Sequence, residues 1–267
     1  METKKLKKQD QRTIKLLEML RSRQRLDITS VTSELKISEA TARRLFIKLE
    51  KDGKLIRVHG GIQMAPQLNH DYSFQLSATQ QIHEKETIGK FAAEMVNSGD
   101  QIFLDAGTTT LKMAEFLSLR IQTGTLKKIT VITNSLSLMH NLAEHCEVIL
   151  VGGRIRPQRH DVYGPLTRQI LSQFNFDKVF FGVDAVSPKG ELMTTDTETA
   201  EVNSMFLQRT RKAYVLTDAR KLNRTSLVTF AMLKNMSGIV IDPAGVEILQ
   251  KQSEFKHYPQ ILKASKS

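Results

Sequence analysis

Six short apolar segments, separated by stretches of helical periodicity, constrain the fold of this chain more than any other feature. They are rich in β-branched and aromatic residues, as strands are. In chain order they are QIFLD (101–105), ITVIT (129–133), EVILV (147–151), KVFFG (178–182), AYVLT (213–217) and GIVI (238–241). Apolar strands that alternate with helices are typical of a parallel sheet covered on both faces. The sequence therefore predicts an α/β domain with a Rossmann-like parallel sheet.

Nearly every one of these segments is apolar along its length and ends in polar residues or glycine. In an open α/β sheet, ligands bind beyond the carboxyl ends of the strands. The same residue types also form ordinary turns and helix caps, and that alternative remains open for each segment taken alone. Together they predict a site for a polar, anionic small ligand. Its candidate residues are Asp105, Gly107, Thr108, Thr109, Thr110, Asn134, Ser135, Gly152, Gly153, Arg154, Asp184 and Lys221.

The segment DAGTTTLKMAEFL (105–117) is the best candidate for holding an anion. It places hydroxyls and backbone N–H groups at the start of a predicted helix, where anions bind. It lacks the Gly-Lys-Ser/Thr ending of an NTPase phosphate loop and the three-glycine spacing of a dinucleotide site. The segment therefore predicts an anion seat without a nucleotide motif.

The N-terminal quarter of the chain is much more basic than the rest. Residues 1–64 contain 16 Lys and Arg against 8 Asp and Glu, and the 267-residue chain as a whole carries a net charge of +11. A basic module attached to a nearly neutral remainder predicts two domains with different partners. Phosphate backbones attract such a surface, so nucleic acid is the favoured partner. An acidic membrane surface and a solvated charged face are the alternatives.

The basic quarter also has the pattern of three helices and a hairpin. We predict a helix over 9–23, a short second helix capped by Thr29 or Ser30, and a third helix from Ser38 to Gly53. Ala42, Phe46 and Leu49 share the buried side of the third helix. The following KLIRVHGGIQM predicts a hairpin, which would form the wing of a winged helix-turn-helix.

The exposed side of the third helix and the wing are predicted to bind double-stranded DNA. Arginine can contact guanine or phosphate in the major groove, and a hydroxyl can contact either. An ordinary protein-interaction module is the alternative. The candidate DNA-binding residues are Ser38, Glu39, Thr41, Arg43, Arg44, Lys48, Arg57, His59 and Gly60.

SEATARRLFIKLEKDGKLIRVHGGI (38–62) resembles the DNA-binding signature of the DeoR family of bacterial transcription regulators. The resemblance lies in Ser-x-x-Thr-x-Arg-Arg, in Leu-Glu-x-x-Gly and in Arg-Val-His-Gly-Gly. Two positions depart from the family pattern, since Ala42 replaces the usual Ile and Leu45 replaces the usual Asp. The lost acid removes an expected partner of an arginine.

The C-terminal part resembles the sugar-phosphate sensor domain of the same family. The resemblance implies a fold similar to sugar-phosphate isomerases and an allosteric site for a phosphorylated intermediate of sugar or nucleoside catabolism. Leu222 replaces a common Phe, and Asp184-Ala185 replaces a frequent Ser-Gly. The segments that carry the resemblance are GDQIFLDAGTTTLKMAEFL, ITVITNSL, EVILVGGRIRP, DKVFFGVDAV and LTDARK.

These observations predict a transcription regulator, a repressor of a sugar or nucleoside catabolic operon whose operator affinity responds to a phosphorylated sugar. The alternative is an isomerase-like enzyme with an appended interaction module, for which Asp105, Asp184, Glu198 or Glu201 would be the base. The DNA-binding module favours the regulator, because an enzyme has no use for it.

The domain limits expected from the sequence are 1–64 for the winged helix, 65–80 for a polar linker and 81–267 for the sensor. We expect a homodimer or homotetramer, which would place pairs of winged helices in successive major grooves. We expect no cofactor and no metal, because His140, His145 and Cys146 lack common ligand spacings. A single cysteine and the lack of a long apolar run predict a cytoplasmic protein without a membrane segment.

Overall fold

The computed structural model describes residues 8–23, 25–51, 55–58, 60–64, 73–252, 255 and 261–264. The chain divides into two compact units, Met1–Asp71 and Tyr72–Ser267, and the boundary falls inside the segment expected to be a linker. Gly53, the expected end of the third helix, and His59 of the wing lie outside the described residues.

The first unit is a winged helix-turn-helix, which confirms the predicted order of helices and hairpin. Its three-stranded antiparallel sheet has the order β1-β3-β2, and the sequence analysis missed the short strand β1. The elements are α1 (Lys8–Arg23), β1 (Arg25–Asp27), α2 (Ile28–Leu35), α3 (Glu39–Lys51), β2 (Leu55–Val58) and β3 (Gly61–Met64).

The cap of α2 differs from the prediction. The carboxylate of Asp27 accepts the backbone N–H of Ser30 at 2.8 Å and its hydroxyl at 2.7 Å, so Asp27 is the cap and neither Thr29 nor Ser30. An aspartate satisfies the free N–H groups of a first turn and also suits the positive end of the helix. The same hydrogen bonds to Ser30 lower the pKa of Asp27.

The core of the first unit contains the buried side of α3. Ala42, Phe46 and Leu49 are buried as predicted, and Leu45 joins them. The departure at Leu45 from the family's usual Asp therefore adds an apolar side chain to the core. Gly61 starts the second strand of the wing, and a Cβ there would lie 2.0 Å from the carbonyl oxygen of Leu26. Only glycine allows β1 and β3 to approach this closely.

The second unit alternates strands and helices. Its helices are α4 (Phe74–Ala78), α5 (Ile82–Glu94), α6 (Thr108–Gln122), α7 (Leu136–Leu142), α8 (Pro165–Leu171), α9 (Thr197–Phe206) and α10 (Pro243–Lys251). Its strands are β4 (Gln101–Leu104), β5 (Thr130–Thr133), β6 (Glu147–Leu150), β7 (Arg154–Arg156), β8 (Asp161–Tyr163), β9 (Phe176–Gly182), β10 (Ala185–Val186), β11 (Glu191–Thr194), β12 (Thr210–Thr217), β13 (Val228–Met232), β14 (Gly238–Ile241) and β15 (Ile261–Lys263).

A seven-stranded parallel sheet of order β15-β14-β12-β9-β4-β5-β6 forms the centre of this unit. It contains all six predicted strands and one more, β15. Alternate residues of each strand enter two separate apolar clusters, for example Phe103 and Val179 in one, and Ile102 and Phe180 in the other. The sheet is thus covered on both faces, and the predicted α/β fold is confirmed.

The order of the strands reverses next to β4. The chain passes from β4 to β5 and β6 on one side, and then returns to β9, β12, β14 and β15 on the other. The switch point therefore lies between β4 and β9, where the connections at the carboxyl ends diverge and open a crevice.

Three smaller features surround the carboxyl edge of the sheet, and the sequence analysis missed them. β7 and β8 form a hairpin, and β10, β11 and β13 form an antiparallel sheet. The helix α4 lies within the segment expected to be an irregular linker. None of the described helices has the length and apolar composition needed to cross a lipid bilayer.

Candidate functional site

A cleft of about 610 Å³, its open mouth included, lies at the switch point of the large sheet. The segments after β4, β9 and β12 form its floor, and α4, α5, the β7–β8 hairpin and the start of α9 form its walls. Its lining residues are Ser77, Lys85, Asp105, Ala106, Gly107, Thr108, Thr109, Arg159, Asp161, Tyr163, Gly182, Val183, Asp184, Thr194, Thr199, Leu216, Thr217, Asp218 and Lys221.

The structure brings six of the twelve sequence-predicted ligand residues together in this cleft. All six follow β4, β9 or β12, the strands on or beside the switch point. They are Asp105, Gly107, Thr108, Thr109, Asp184 and Lys221. The other six do not line the cleft, and five of them follow β5 or β6, on the far side of β4.

Those six residues have local structural roles or are buried. The Thr110 hydroxyl donates to the carbonyl of Asp105 at 2.6 Å, and Ser135 caps α7 by accepting the N–H of Leu138. Arg154 forms an exposed ion pair with Glu198 at 2.8 Å.

The two glycines after β6 provide packing space. A Cβ on Gly153 would lie 2.2 Å from the Thr167 hydroxyl, and one on Gly152 would touch Leu166 and Ile170. Asn134 is fully buried, and neither polar atom of its side chain has a hydrogen-bond partner in the described part of the chain.

The start of α6 is the part of the cleft whose chemistry best suits an anion. Gly107 is the cap residue, and the N–H groups of Thr108 and Thr109 lie in the first turn, where the helix supplies no acceptor. The hydroxyls of Thr108 and Ser77 lie 3.1 Å apart. Hydroxyls, N–H groups and the helix dipole at one point suit a phosphate.

Lys85 is a cleft residue that the sequence analysis missed. It lies on α5 with only 3% of its surface exposed, and its ammonium donates to the carbonyl of Ser77. Burial, together with the nearby positive charge of Lys221, lowers the pKa of Lys85 to about 8. A lysine inside an otherwise apolar helix face was the available signal. The residue gives the anion seat a charge that little water screens.

Asp105 is buried, with 6% of its surface exposed, and accepts a hydrogen bond from the Tyr163 hydroxyl at 3.2 Å. Burial raises the pKa of Asp105 to about 6, and the neighbouring Asp161 contributes to the rise. Burial also raises the pKa of Tyr163 well above its usual range. The pair therefore offers a carboxyl that changes charge near neutral pH beside a tyrosine that stays protonated.

The β7–β8 hairpin brings a charged network to the cleft. The guanidinium of Arg156 forms two hydrogen bonds to Asp161, at 2.8 and 2.7 Å, and stacks 4.0 Å above the ring of Tyr163. It also pairs with Asp196 at 3.0 Å, as does Arg159. Burial raises the pKa of Asp161, although Arg156 acts against this rise. The network fixes the wall that carries Arg159 and Tyr163.

Asp184 lies across the cleft, and donors hold its carboxylate in place. Its Oδ2 accepts from the N–H of Thr195 at 2.9 Å and from the hydroxyls of Thr195 and Thr194. Its Oδ1 lies 3.8 Å from the ammonium of Lys221. The buried hydroxyl of Thr217 also lines the cleft, with no hydrogen-bond partner among the described residues.

The cleft thus combines cations, hydroxyls and carboxylates. Lys85, Lys221 and Arg159 can neutralise a phosphate, whereas Asp105 and Asp184 can accept hydrogen bonds from sugar hydroxyls. No group of three or more potential metal ligands is assembled in the described ranges.

On α3 of the first unit, the predicted DNA-binding residues share the exposed side. The hydroxyls of Ser38 and Thr41 lie 2.9 Å apart, and the Ser38 hydroxyl accepts the Thr41 N–H, which makes Ser38 the cap of the helix. Arg43 is held by Glu39 at 2.5 Å. Arg44 has no ion-pair partner within the described part of the unit, and its guanidinium is available for a base or a phosphate.

One predicted DNA-binding residue of the wing, Arg57, has an acidic partner within the same unit. Arg57 forms an ion pair with Glu50 of α3, 2.6 Å from Nε to Oε2, and its N–H donates to the same carboxylate. These hydrogen bonds lower the pKa of Glu50. The pair joins wing and recognition helix, with Arg57 still half-exposed. Gly60 forms the turn with φ of 79°, and Lys48 lies exposed on α3.

A DNA-binding winged helix followed by an α/β unit with a polar cleft is the arrangement of a ligand-responsive transcription regulator. Residues 12–67 match the DeoR-like helix-turn-helix domain, and residues 80–243 match the DeoR C terminal sensor domain. The chain belongs to the DeoR family.

Several curated relatives align over nearly the whole chain. The lactose phosphotransferase system repressor of Staphylococcus epidermidis is 30% identical over 87% of this chain and 90% of its own length. The transcriptional repressor GlcR of Bacillus subtilis is 30% identical over 88% of each chain. The transcriptional repressor AccR of Agrobacterium fabrum is 31% identical over 90% of this chain and 92% of its own.

Solved structures resemble the chain more weakly. A D-ribose-5-phosphate isomerase in complex with phospho-erythronic acid is 21% identical over 52% of each chain, with a TM-score of 0.40. The eIF2B delta subunit of Chaetomium thermophilum is 15% identical over 87% of this chain and 71% of its own, with a TM-score of 0.44. Neither score reaches 0.5, so neither structure bears on function.

Proposed function

We propose that this protein is a repressor of a sugar catabolic operon, and that a phosphorylated sugar in the cleft changes its affinity for operator DNA. The observation that carries the proposal is the joining, in one chain, of a basic winged helix to a cleft with an anion seat and hydroxyl acceptors. Repression and sugar control are supported by the relatives, among them the lactose phosphotransferase system repressor of Staphylococcus epidermidis.

The ligand is proposed to bind with its phosphate at the start of α6 and its hydroxyls toward the carboxylates. Lys85 and Lys221 would pair with the phosphate, and Thr108 would donate to it. Asp105 and Asp184 lie on the floor beyond this seat, where they would bind sugar hydroxyls.

We propose a homodimer or homotetramer that places two winged helices in successive major grooves. Binding in pairs fits the geometry of helix-turn-helix proteins, whose half-sites lie about one helical turn apart. Ligand needs only to bind two states of the protein with different affinity to change operator binding.

We infer that the cleft senses its ligand and does not transform it. Three donors already hold Asp184, Glu198 is paired with Arg154, and Glu201 is paired with Arg168. Asp105 is the strongest remaining candidate for a catalytic base. A turnover assay with pentose, hexosamine and ketose phosphates tests this inference, and product formation that Asp105→Ala abolishes would establish an isomerase instead.

The DNA-binding half is tested by selection from a random pool of duplex DNA. The wild type should select one sequence and bind it with an affinity that falls steeply with salt, because neutralised phosphates release counterions. Arg44→Ala should weaken this binding by about 1–3 kcal/mol. It should also leave intact the thermal stabilisation of the full chain by phosphorylated sugars.

Arg211→Ala is the matched control, since Arg211 is an exposed arginine of the other unit that lies near Asp177. If Arg44→Ala and Arg211→Ala bind the operator with equal affinity, α3 does not contact DNA through Arg44 and is not the recognition helix proposed here.

A further inference from the structure

One large apolar side chain of α3 points into solvent. Ile47 is 52% exposed, whereas Leu45, Phe46 and Leu49 of the same helix are exposed by 7% or less. The core of the first unit is complete without it. A single exposed apolar residue is ordinary on a protein surface, so its exposure alone carries no conclusion.

The residues around Ile47 indicate that its exposed side chain belongs to a binding surface. It follows Arg44 by three residues and Arg43 by four, so the three side chains share one face of the helix. Ile47 also lines a groove between α3 and the wing, together with Arg43, Arg57 and Gly60. The only large exposed apolar group on the described part of this face therefore lies among cations.

Charge complementarity selects the partner of this face. A protein partner with an apolar patch would have to bring that patch against three arginines and the nearby Lys48. Among these four cations, in the described part of the unit, only Arg43 and Arg57 have acidic partners, Glu39 and Glu50, so the face keeps an excess of positive charge. A DNA major groove supplies phosphates for the cations, and it also supplies one apolar group of its own, the C5-methyl of thymine. DNA therefore offers partners both for the positive charges of this face and for the apolar side chain of Ile47.

We propose that Ile47 is a specificity-determining residue that contacts the C5-methyl group of an operator thymine. This inference rests on the proposed DNA-binding function. Three residues of helix span about 4.5 Å, and base pairs are spaced by about 3.4 Å. The thymine therefore lies within about two base pairs of the position that Arg44 contacts.

The test uses the operator sequence that the wild type selects from a random pool. Each thymine is replaced in turn by deoxyuridine, which keeps the base pairing and removes only the methyl group. Burial of one methyl group is worth about a fourfold change in affinity. We expect one such replacement to weaken wild-type binding about fourfold. Ile47→Ala should bind the original operator with a similar loss and be insensitive to that replacement.

Two further variants separate this contact from general effects. Ile155→Ala removes an isoleucine that is 60% exposed in the other unit, and it should keep the wild-type response to deoxyuridine. Ile47→Val should retain most of the response. Thermal unfolding of each variant without ligand, compared with that of the wild type, reports whether its DNA-binding unit is folded.

The inference is overturned if Ile47→Ala selects the wild-type sequence with unchanged affinity, or if it responds to each deoxyuridine as the wild type does. That result would leave the DNA-binding function in place. If the wild type itself selects no sequence, the proposed function fails and this inference fails with it.

Discussion

Two titratable residues of the cleft respond to the same burial in opposite directions. Asp105 becomes harder to ionise, with its pKa at about 6, and Lys85 becomes easier to deprotonate, with its pKa at about 8. Burial disfavours the charged form in both cases. Neither charge stabilises the fold, so both are candidates for a role in binding.

Asp105→Asn should stabilise the protein at neutral pH. The pKa of Asp105 is raised from 3.8 to about 6, so the wild type loses stability as pH rises from about 4 to 6, because the folded state must give up a proton that it favours. Asparagine can still accept from Tyr163 and carries no charge. Above pH 6 the variant should exceed the wild type by about 3 kcal/mol in free energy of unfolding.

Urea unfolding of both proteins at pH 4.5, 5.5 and 7 measures this difference. The difference should grow with pH and then level off. A difference that is constant over this range, or that has the opposite sign, would mean that Asp105 is not a buried acid with a raised pKa.

Because of Lys85, the affinity of the cleft for its ligand should fall as the pH rises above neutral. Its charged form, which predominates below a pKa of about 8, is the form that attracts a phosphate. The affinity for a phosphorylated sugar should therefore fall about eightfold between pH 7.5 and 9 as the ammonium loses its proton. The charge of the sugar's phosphate is nearly constant over this range.

Calorimetric titration at both pH values tests the lysine. Lys85→Met should bind more weakly at pH 7.5 and lose the pH dependence. Lys112→Met, which removes a lysine of α6 that pairs with Glu115 outside the cleft, should behave as the wild type. If Lys85→Met keeps the eightfold change, another group is responsible.

At the scale of elements, α4 connects the cleft with the start of the second unit. Its Ser77 lies against Thr108 and accepts from Lys85. Its Phe74 stacks on His160 with ring centroids 4.7 Å apart, and its N–H donates to Gln158 at 3.0 Å. α4 is therefore in contact with two walls of the cleft, a few residues after the boundary at Asp71.

Phe74→Leu should weaken the effect of ligand on operator affinity. The substitution keeps an apolar side chain and loses the stack on the loop that carries Arg159. Ligand affinity and operator affinity, each measured alone, should change by no more than about tenfold, since loss of a stacked aromatic pair is worth at most about 1.5 kcal/mol. Phe174→Leu removes a different stacked pair, with Phe176, and serves as control. If ligand changes the operator affinity of Phe74→Leu as much as that of the wild type, α4 has no part in the effect of ligand on DNA binding.

The sequence was sufficient to predict the large elements and insufficient to predict their order. The residue pattern alone predicts six apolar strands and a sheet that is covered on both faces, because each strand is a continuous apolar run. The strand order depends on packing between distant segments. Without that order, the sequence does not show that the residues after β4, β9 and β12 line the cleft whereas those after β5 and β6 do not. Asn134 and Gly153 are therefore predicted, together with Asp105, as ligand residues.

Four of the missed residues of the cleft lie on short elements that the sequence analysis did not predict. Arg159, Asp161 and Tyr163 belong to a hairpin whose strands have three residues each. Ser77 lies on a five-residue helix inside a polar segment. Such elements form because the larger sheet supports them, and their own sequences have too few residues for a periodic pattern.

At the scale of the whole molecule, the two units divide recognition between DNA and a small ligand. The first unit carries the larger share of the chain's net positive charge, and the second carries the polar cleft. Membership in the DeoR family is consistent with this division. The central claim of the account is that occupancy of the cleft controls operator affinity.

Fluorescence anisotropy of the selected operator, titrated with protein in the presence of different sugars, tests that claim most directly. Thr108→Ala with Lys221→Ala should bind operator as the wild type does, because neither residue belongs to the DNA-binding unit. Thr123→Ala with Lys127→Ala changes two exposed residues outside the cleft and is the matched control.

A phosphorylated sugar, and not its unphosphorylated form, should lower the operator affinity of the wild type and of the control by about tenfold or more, a coupling within the usual 1–3 kcal/mol. The cleft variant should show no change. An equal response of the cleft variant, or no response of the wild type to any pentose, hexose or hexosamine phosphate, would contradict the central claim.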